Sequence, residues 1–363
     1  MCWLSTVWKD RQRTRVGIEA RSNLLESPKA HTFPFDRLMD VREATVRYEK
    51  WMAAHIKIVN RDLMYKHKQM SESSFAFMRA TFYRWLQIWK DLCRVEAEAP
   101  RLLAVGDLHI ENFGTWRDAE GRLIWGVNDF DECHSLPYTN DLVRLATSAL
   151  LAIESEHLMI RRREACDAIL DGYLQGMRSG GRPFVLGEEH VFLRDIALSK
   201  LRDPVHFWAR MRELPDSRQK PSADVAEALE LLLPEAKIPY RIKARRAGLG
   251  SLGRLRLVAL AEWGGGPVAR EAKAALPSAC VWAEHESNSR VWYSEIIARA
   301  VRIPDPFVKL HGNWIVRRLA PDCSRIELWS LPEKRDEAKL LFAMGYEAAN
   351  IHLGTAEMAK KVW

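Results

Sequence analysis

The sequence predicts an α+β protein in two parts, a helical part that carries a strand–loop–strand site and a strand-rich part that follows it. Three observations lead there. Apolar residues recur at three- to four-residue steps over about 40–94 and again over 141–233. Short β-type runs bounded by turn residues occupy 101–131 and 238–330. The length, 363 residues, suits two domains or one bilobal unit.

Taken in order, residues 1–39 form a polar, basic N-terminal extension that ends in a loop with Pro28 and Pro34. Val46, Met52, Ile56 and Val59, and then Phe82, Trp85, Leu86 and Trp89, give the first helical stretch its apolar face. Leu102–Val105 and Arg122–Phe130 read as two strands flanking a polar loop, a hairpin-like site with a turn at Asp118–Gly121. The second helical stretch is broken at Gly180–Pro183 and at Leu214-Pro215. Beyond it, Arg254–Leu260 alternates into the turn Gly264–Pro267 and on to Val268–Ala274. A helical run follows at 288–301, then strands at 314–319 and 325–331, then a helix over 333–361. The expected division is therefore an extension (1–39), a helical lobe (40–235), a strand-rich lobe (236–332) and a returning helix (333–363).

Composition narrows the class. Apolar residues make up 47% and charged residues 28%, which is globular and excludes disorder, collagen and coiled coil. The excess of 55 Lys and Arg over 48 Asp and Glu gives +7, a basic surface suited to anionic ligands without demanding nucleic acid. The six cysteines form no C-x-x-C pair, so reduced thiols and a cytoplasmic location are expected, with no zinc site. No run of ~18 uncharged apolar residues is present, so no membrane partner is expected.

The densest chemistry lies in Gly106-Asp-Leu-His-Ile-Glu-Asn112-Phe-Gly114 and in Asn128-Asp-Phe-Asp-Glu132. Asp107, Glu111, Asp129 and Asp131, with Asn112 and Asn128, place oxygen groups on loops at strand ends. Such groups suit Mg²⁺ or Mn²⁺. A second motif, Gly248-Leu-Gly-Ser-Leu-Gly253, is a G-x-G-x-x-G run whose backbone suits close approach to phosphate. A Rossmann turn opens a helix, whereas strand-type Arg254–Leu260 follows here, so Gly248, Gly250, Ser251 and Gly253 are expected between strands.

An Asp, four residues and an Asn, followed later by an Asp-Phe pair, resembles the catalytic and metal loops of protein kinases. Gly-Asp-x-His-x-x-Asn resembles still more closely the loop of kinase-like aminoglycoside and choline phosphotransferases. The resemblance implies Asp107 as the base, with His109 beside it as the second catalytic candidate. It implies Asn112 and Asp129 as metal ligands and Asp131 as a second-metal or neighbouring residue. Asp141 resembles the helix-start Asp that braces such a loop, and Gly345–His352 resembles the helix that precedes it. Lys273 stands where such folds keep a phosphate-binding lysine, with Glu295 as its expected partner and Glu284 and Glu286 as competitors.

Lys66–Trp85, the Gly106 loop, the Asn128 loop, Asp141–Ser148 and the glycine run together resemble, in order, the bacterial family filed as domain of unknown function 2252. This resemblance spans roughly residues 40–355. It implies a bilobal, protein-kinase-like fold in circularly permuted order, because the catalytic loop precedes the glycine run. The implied activity is phosphate transfer from ATP or GTP, with Mg²⁺ or Mn²⁺, to a hydroxyl-bearing acceptor. Alternatives are a non-catalytic nucleotide-binding regulator and a metal-dependent phosphoesterase, the latter from Asp107-Leu-His109.

Overall fold

The computed structural model describes residues 39–187, 189–197, 203–217, 220–323 and 336–355. The extension 1–38, the strand expected at 325–331 and the end of the last helix lie outside them. The first helical stretch divides into α1 (Val41–His55), α2 (Asn60–Met70), α3 (Ser74–Ala80) and α4 (Phe82–Leu92). Asp40 and Ser73 cap α1 and α3 with their side chains, which accounts for two of the starts.

The middle segment differs from the expected hairpin. β1 (Arg101–Ala104) pairs antiparallel with β4 (His134–Pro137), not with β3 (Leu123–Val127). The partner of β3 is β2 (Phe113–Arg117), which reads as loop because Gly114 and Thr115 break its apolar pattern. β5 (Phe184–Val185) completes this three-stranded sheet. Both loops of interest thus leave strand ends, one after β1 and one after β3.

Helices α5 (Thr139–Glu154) and α6 (Arg162–Ser179) follow, and later α7 (Pro204–Glu213) and α8 (Ala223–Glu230). The strand-rich part is one antiparallel sheet of β6 (Tyr240–Ala244), β7 (Arg256–Trp263), β8 (Gly266–Ala274), β9 (Val308–His311) and β10 (Trp314–Leu319). Its order is β6-β7-β8-β10-β9. Alternation sends Leu257, Ala259, Ala272 and Val316 to the outer face, where Val225, Ala228 and Leu229 of α8 cover them. On the inner face, Val258, Ala269 and Leu319 meet Phe207 and Met211 of α7. So α7 and α8, which follow the helical stretch in sequence, pack on this sheet.

Helix α9 (Tyr293–Arg299) and the final helix α10 (Glu337–His352) complete the elements that matter for the site. α10 crosses α6 at very close range. A Cβ added at Gly172 meets the Phe342 carbonyl at 1.9 Å, and one at Gly345 meets the Ile169 carbonyl at 2.0 Å. Only glycine permits that approach on both sides. Among the described residues, Cys93, Cys133, Cys166, Cys280 and Cys323 are free thiols, and no helix is long and apolar enough to cross a membrane.

Candidate active site

The loop after β1 turns at Gly106, where φ is +83° and a Cβ would meet the Glu132 carbonyl at 2.3 Å. Asp141, fully buried at the start of α5, receives the Val105 and Gly106 amides at 2.7 and 2.9 Å. Its second support is His352 Nε2 at 3.1 Å, from the end of α10. The expected bracing role of Asp141 is therefore seen directly, and His352 joins it from a segment 211 residues away.

Asp107 faces the cavity and is held by Arg144, whose Nε donates to Oδ1 at 2.7 Å. Arg144 itself is fully buried, donates to the Met78 carbonyl at 2.8 Å and lies over the rings of Phe82 and Trp85. Desolvation outweighs that guanidinium, with help from Glu132 and Asp129, and pushes the Asp107 carboxyl up to about 7. His109 caps the short 3₁₀ turn Ile110–Asn112: its Nδ1 accepts from the Glu111 amide at 3.2 Å. Asn112 Oδ1 accepts from the His109 amide at 2.6 Å, and Glu111 pairs with Arg79.

The second loop joins the first through Asn128 N–H donating to the Asn112 carbonyl at 3.0 Å. Beyond it, Asp131 is gripped by Lys273 and, at 3.4 Å, by Arg254. Those two cations, Lys273 first, hold its carboxyl well below the ordinary range despite burial. Lys273 Nζ also lies 3.6 Å from Asp129. This corrects one expectation. The carboxylates facing Lys273 are Asp131 and Asp129, while Glu295 on α9 pairs with Arg290, and Glu284 and Glu286 pair with Lys90 and His134. Asp131, expected as a second-metal or neighbouring residue, directs both oxygens at cations.

Gly248–Gly253 closes over this arrangement as a series of turns between β6 and β7, with no helix after Gly253, as its strand-type sequel predicts. Gly250 is the point of closest approach: a Cβ there would lie 3.4 Å from Asp107 Oδ2 and 3.2 Å from the Arg79 carbonyl. Lys66 of α2 donates to the Gly250 carbonyl at 3.0 Å and fixes the turn from below. Burial, then the charge of Arg254, lowers its ammonium to about 8. Ser251 accepts from Arg256 at 2.8 Å, and Gly253, at φ +97°, has Leu63 where a Cβ would sit.

Asp107, Asn112, Asp129, Gly248, Gly250 and Ser251 all line one cavity of about 470 Å³. That volume is in the range of a drug-sized or cofactor-sized ligand. Among the described residues no group of three or more His, Cys, Asp and Glu is arranged to hold a metal ion by itself. The cavity does present the Asp129 carboxylate, 38% exposed, and Asn112 Oδ1, which has used one of its two lone pairs. Two protein oxygens suit a Mg²⁺ that draws its remaining ligands from phosphate and water.

Sequence reasoning missed Lys66, Arg144, Arg254 and Glu132, the last accepting from Arg254 at 2.8 Å and from the Ala279 amide at 2.7 Å. Only Arg144 carried a local signal, standing one helical turn after Asp141. No curated protein and no solved structure matches the chain. Residues 58–192, which hold Lys66, Asp107, Asn112, Asp129, Asp131 and Arg144, match the bacterial family described as an uncharacterized protein conserved in bacteria (DUF2252).

Proposed function

We propose that the chain is a kinase-like phosphotransferase that moves a phosphate from ATP or GTP to a hydroxyl-bearing acceptor. One observation carries the reading. The Asp107 loop, the Asp129 loop and the glycine turn line a single cavity, and Asp131 of that lining holds Lys273, buried behind it, from 142 residues away. A bilobal, permuted kinase-like fold goes with this reading. Its support is the five-stranded sheet that carries the turn and the lysine, together with α10 standing behind the loop after β1.

In this scheme the acceptor hydroxyl docks at Asp107, which takes its proton while Arg144 holds the carboxylate in place. His109 and Asp141 shape the loop that presents Asp107. Lys273 and the glycine turn position the nucleotide phosphates. Asn112 and Asp129 are the residues that would hold Mg²⁺ or Mn²⁺, which when bound neutralises phosphate charge. The Rossmann reading lacks its helix after Gly253, and the phosphoesterase reading lacks its multi-carboxylate donor set among the described residues.

The test is incubation with Mg-ATP and a metabolite library, with phosphate gain read by mass. An acceptor that gains phosphate with the native chain and not with Asp129→Ala supports the proposal. Calorimetric titration showing no ATP binding with or without Mg²⁺ overturns it.

A further inference from the structure

The inner face of the sheet carries a charge cluster that the scheme above leaves without a role. Glu271 of β8 is completely buried, yet it receives three guanidiniums: Arg256 at 2.6 Å, Arg317 at 2.9 Å, and Arg245. Three arginines share this one carboxylate, and only longer-range charges, Asp131 for Arg256 and Asp129 for Arg317, supplement it. Among the described residues, no other carboxylate pairs with any of the three. All three line the cavity. Arg317 spends only Nε on Glu271, and Arg245 only one terminal nitrogen, so the forks keep unused donor edges. Burial and the neighbouring Arg256 and Arg317 depress the Arg245 guanidinium, whereas Glu271 and Asp129 raise that of Arg317 against burial, so the open demand for an anion lies at the Arg245 edge.

The position of the cluster says which anion. Ala269, Glu271 and Lys273 alternate along β8, so they share the inner face at steps of about 7 Å. Register places Leu319 beside Ala269, Arg317 beside Glu271, and Arg256 beside Lys273. The inner face therefore grades from an apolar end, where Leu319 meets Phe207 and Met211, through the arginines, to the Asp107 and Asp129 loops, with Lys273 buried behind Asp131. A nucleoside triphosphate has the same order: flat base, proximal phosphates, terminal phosphate. Building on the phosphotransferase reading, we propose that Arg245, Arg256 and Arg317, braced by Glu271, form a phosphate subsite for the nucleotide. It lies between a base-binding end at Leu319, Phe207 and Met211 and the transfer end at Asp107 and Asp129. Paired guanidinium forks suit phosphate oxygens better than a point charge does.

The experiment is equilibrium titration with inorganic tripolyphosphate, ATP and adenosine, using the whole chain. Arg317→Gln is expected to weaken tripolyphosphate and ATP at least tenfold while leaving adenosine unchanged. Arg245→Gln, at the other edge of the cluster, is expected to do the same and serves if Arg317→Gln fails to fold. Equal tripolyphosphate affinity in the native chain and a folded variant overturns the subsite. So does tripolyphosphate binding undiminished by saturating ATP, since the anion would then belong to a separate ligand. Neither readout needs turnover. If the variants lose tripolyphosphate affinity while the native chain transfers nothing, the subsite stands and the phosphotransferase reading falls alone.

Discussion

Asp107 and Asp131 are two aspartates of one cavity wall, and their surroundings drive them to opposite ends of the titration scale. Asp107 has a single cationic partner, Arg144, and two like charges nearby, so desolvation wins and its carboxyl rises to about 7. Asp131 is equally enclosed but faces Lys273, Arg254 and Arg256, and its carboxyl falls well below the ordinary range. Burial is common to both; the number of cations decides. A carboxylate poised near neutrality suits proton transfer, whereas one ionised at every working pH suits holding a lysine and an arginine in place.

The contrast is broken most severely at Asp107. Asp107→Asn is expected to lower phosphate transfer by about 10²–10⁴-fold, the usual worth of a general base, while ATP affinity measured by titration stays near the native value. Transfer at the native rate would remove Asp107 from the chemistry. Next in size is Asp131→Asn, which leaves Lys273 and Arg254 buried with less compensation. The expected cost is about 3–5 kcal/mol of stability, read by chemical denaturation. A loss below about 1 kcal/mol would mean that Asp131 is not the anchor. The smallest effect sharpens the comparison through pH. Below about 7 the Asp107 carboxyl is protonated and cannot accept a proton, so the transfer rate should climb about tenfold per unit as pH rises towards 7 and level off above it. Asp131 is ionised throughout and adds no limb. A rate that is flat from pH 5.5 to 8 contradicts the assignment.

What the sequence disclosed and what it hid divide along the same line. Asp107, Asn112 and Asp129 stand in short motifs whose spacing is local, and the turn chemistry of Gly248–Gly253 is local too, so both were legible. β10 was legible as well, at Trp314–Leu319 to the residue, because Trp314, Ile315 and Val316 open it as a β-type apolar run. The pairing of β1 with β4 was not, since register between distant strands depends on neighbours that no local pattern names. Lys273 is legible as a covered strand lysine, but the partner expected for it, Glu295 on a helix, differs from Asp131, which lies 142 residues upstream. Glu271 reads as an ordinary charged position in an alternating strand. Its meaning emerges only when β7 and β10 bring Arg256 and Arg317 beside it.

The hydrogen bond from His352 to Asp141 has a consequence for the life history of the molecule. Chains emerge from the ribosome in order, at about 5–20 residues per second, and segments fold as their partners become available. The amides of Val105 and Gly106 can find Asp141 early, when only 35 or so residues separate them. The imidazole that completes the bracket emerges 211 residues later, with the helix that brings Gly345 against Ile169. A nascent chain therefore carries the loop after β1 for many seconds without the imidazole behind it, and the bracket is complete only once residue 352 has emerged.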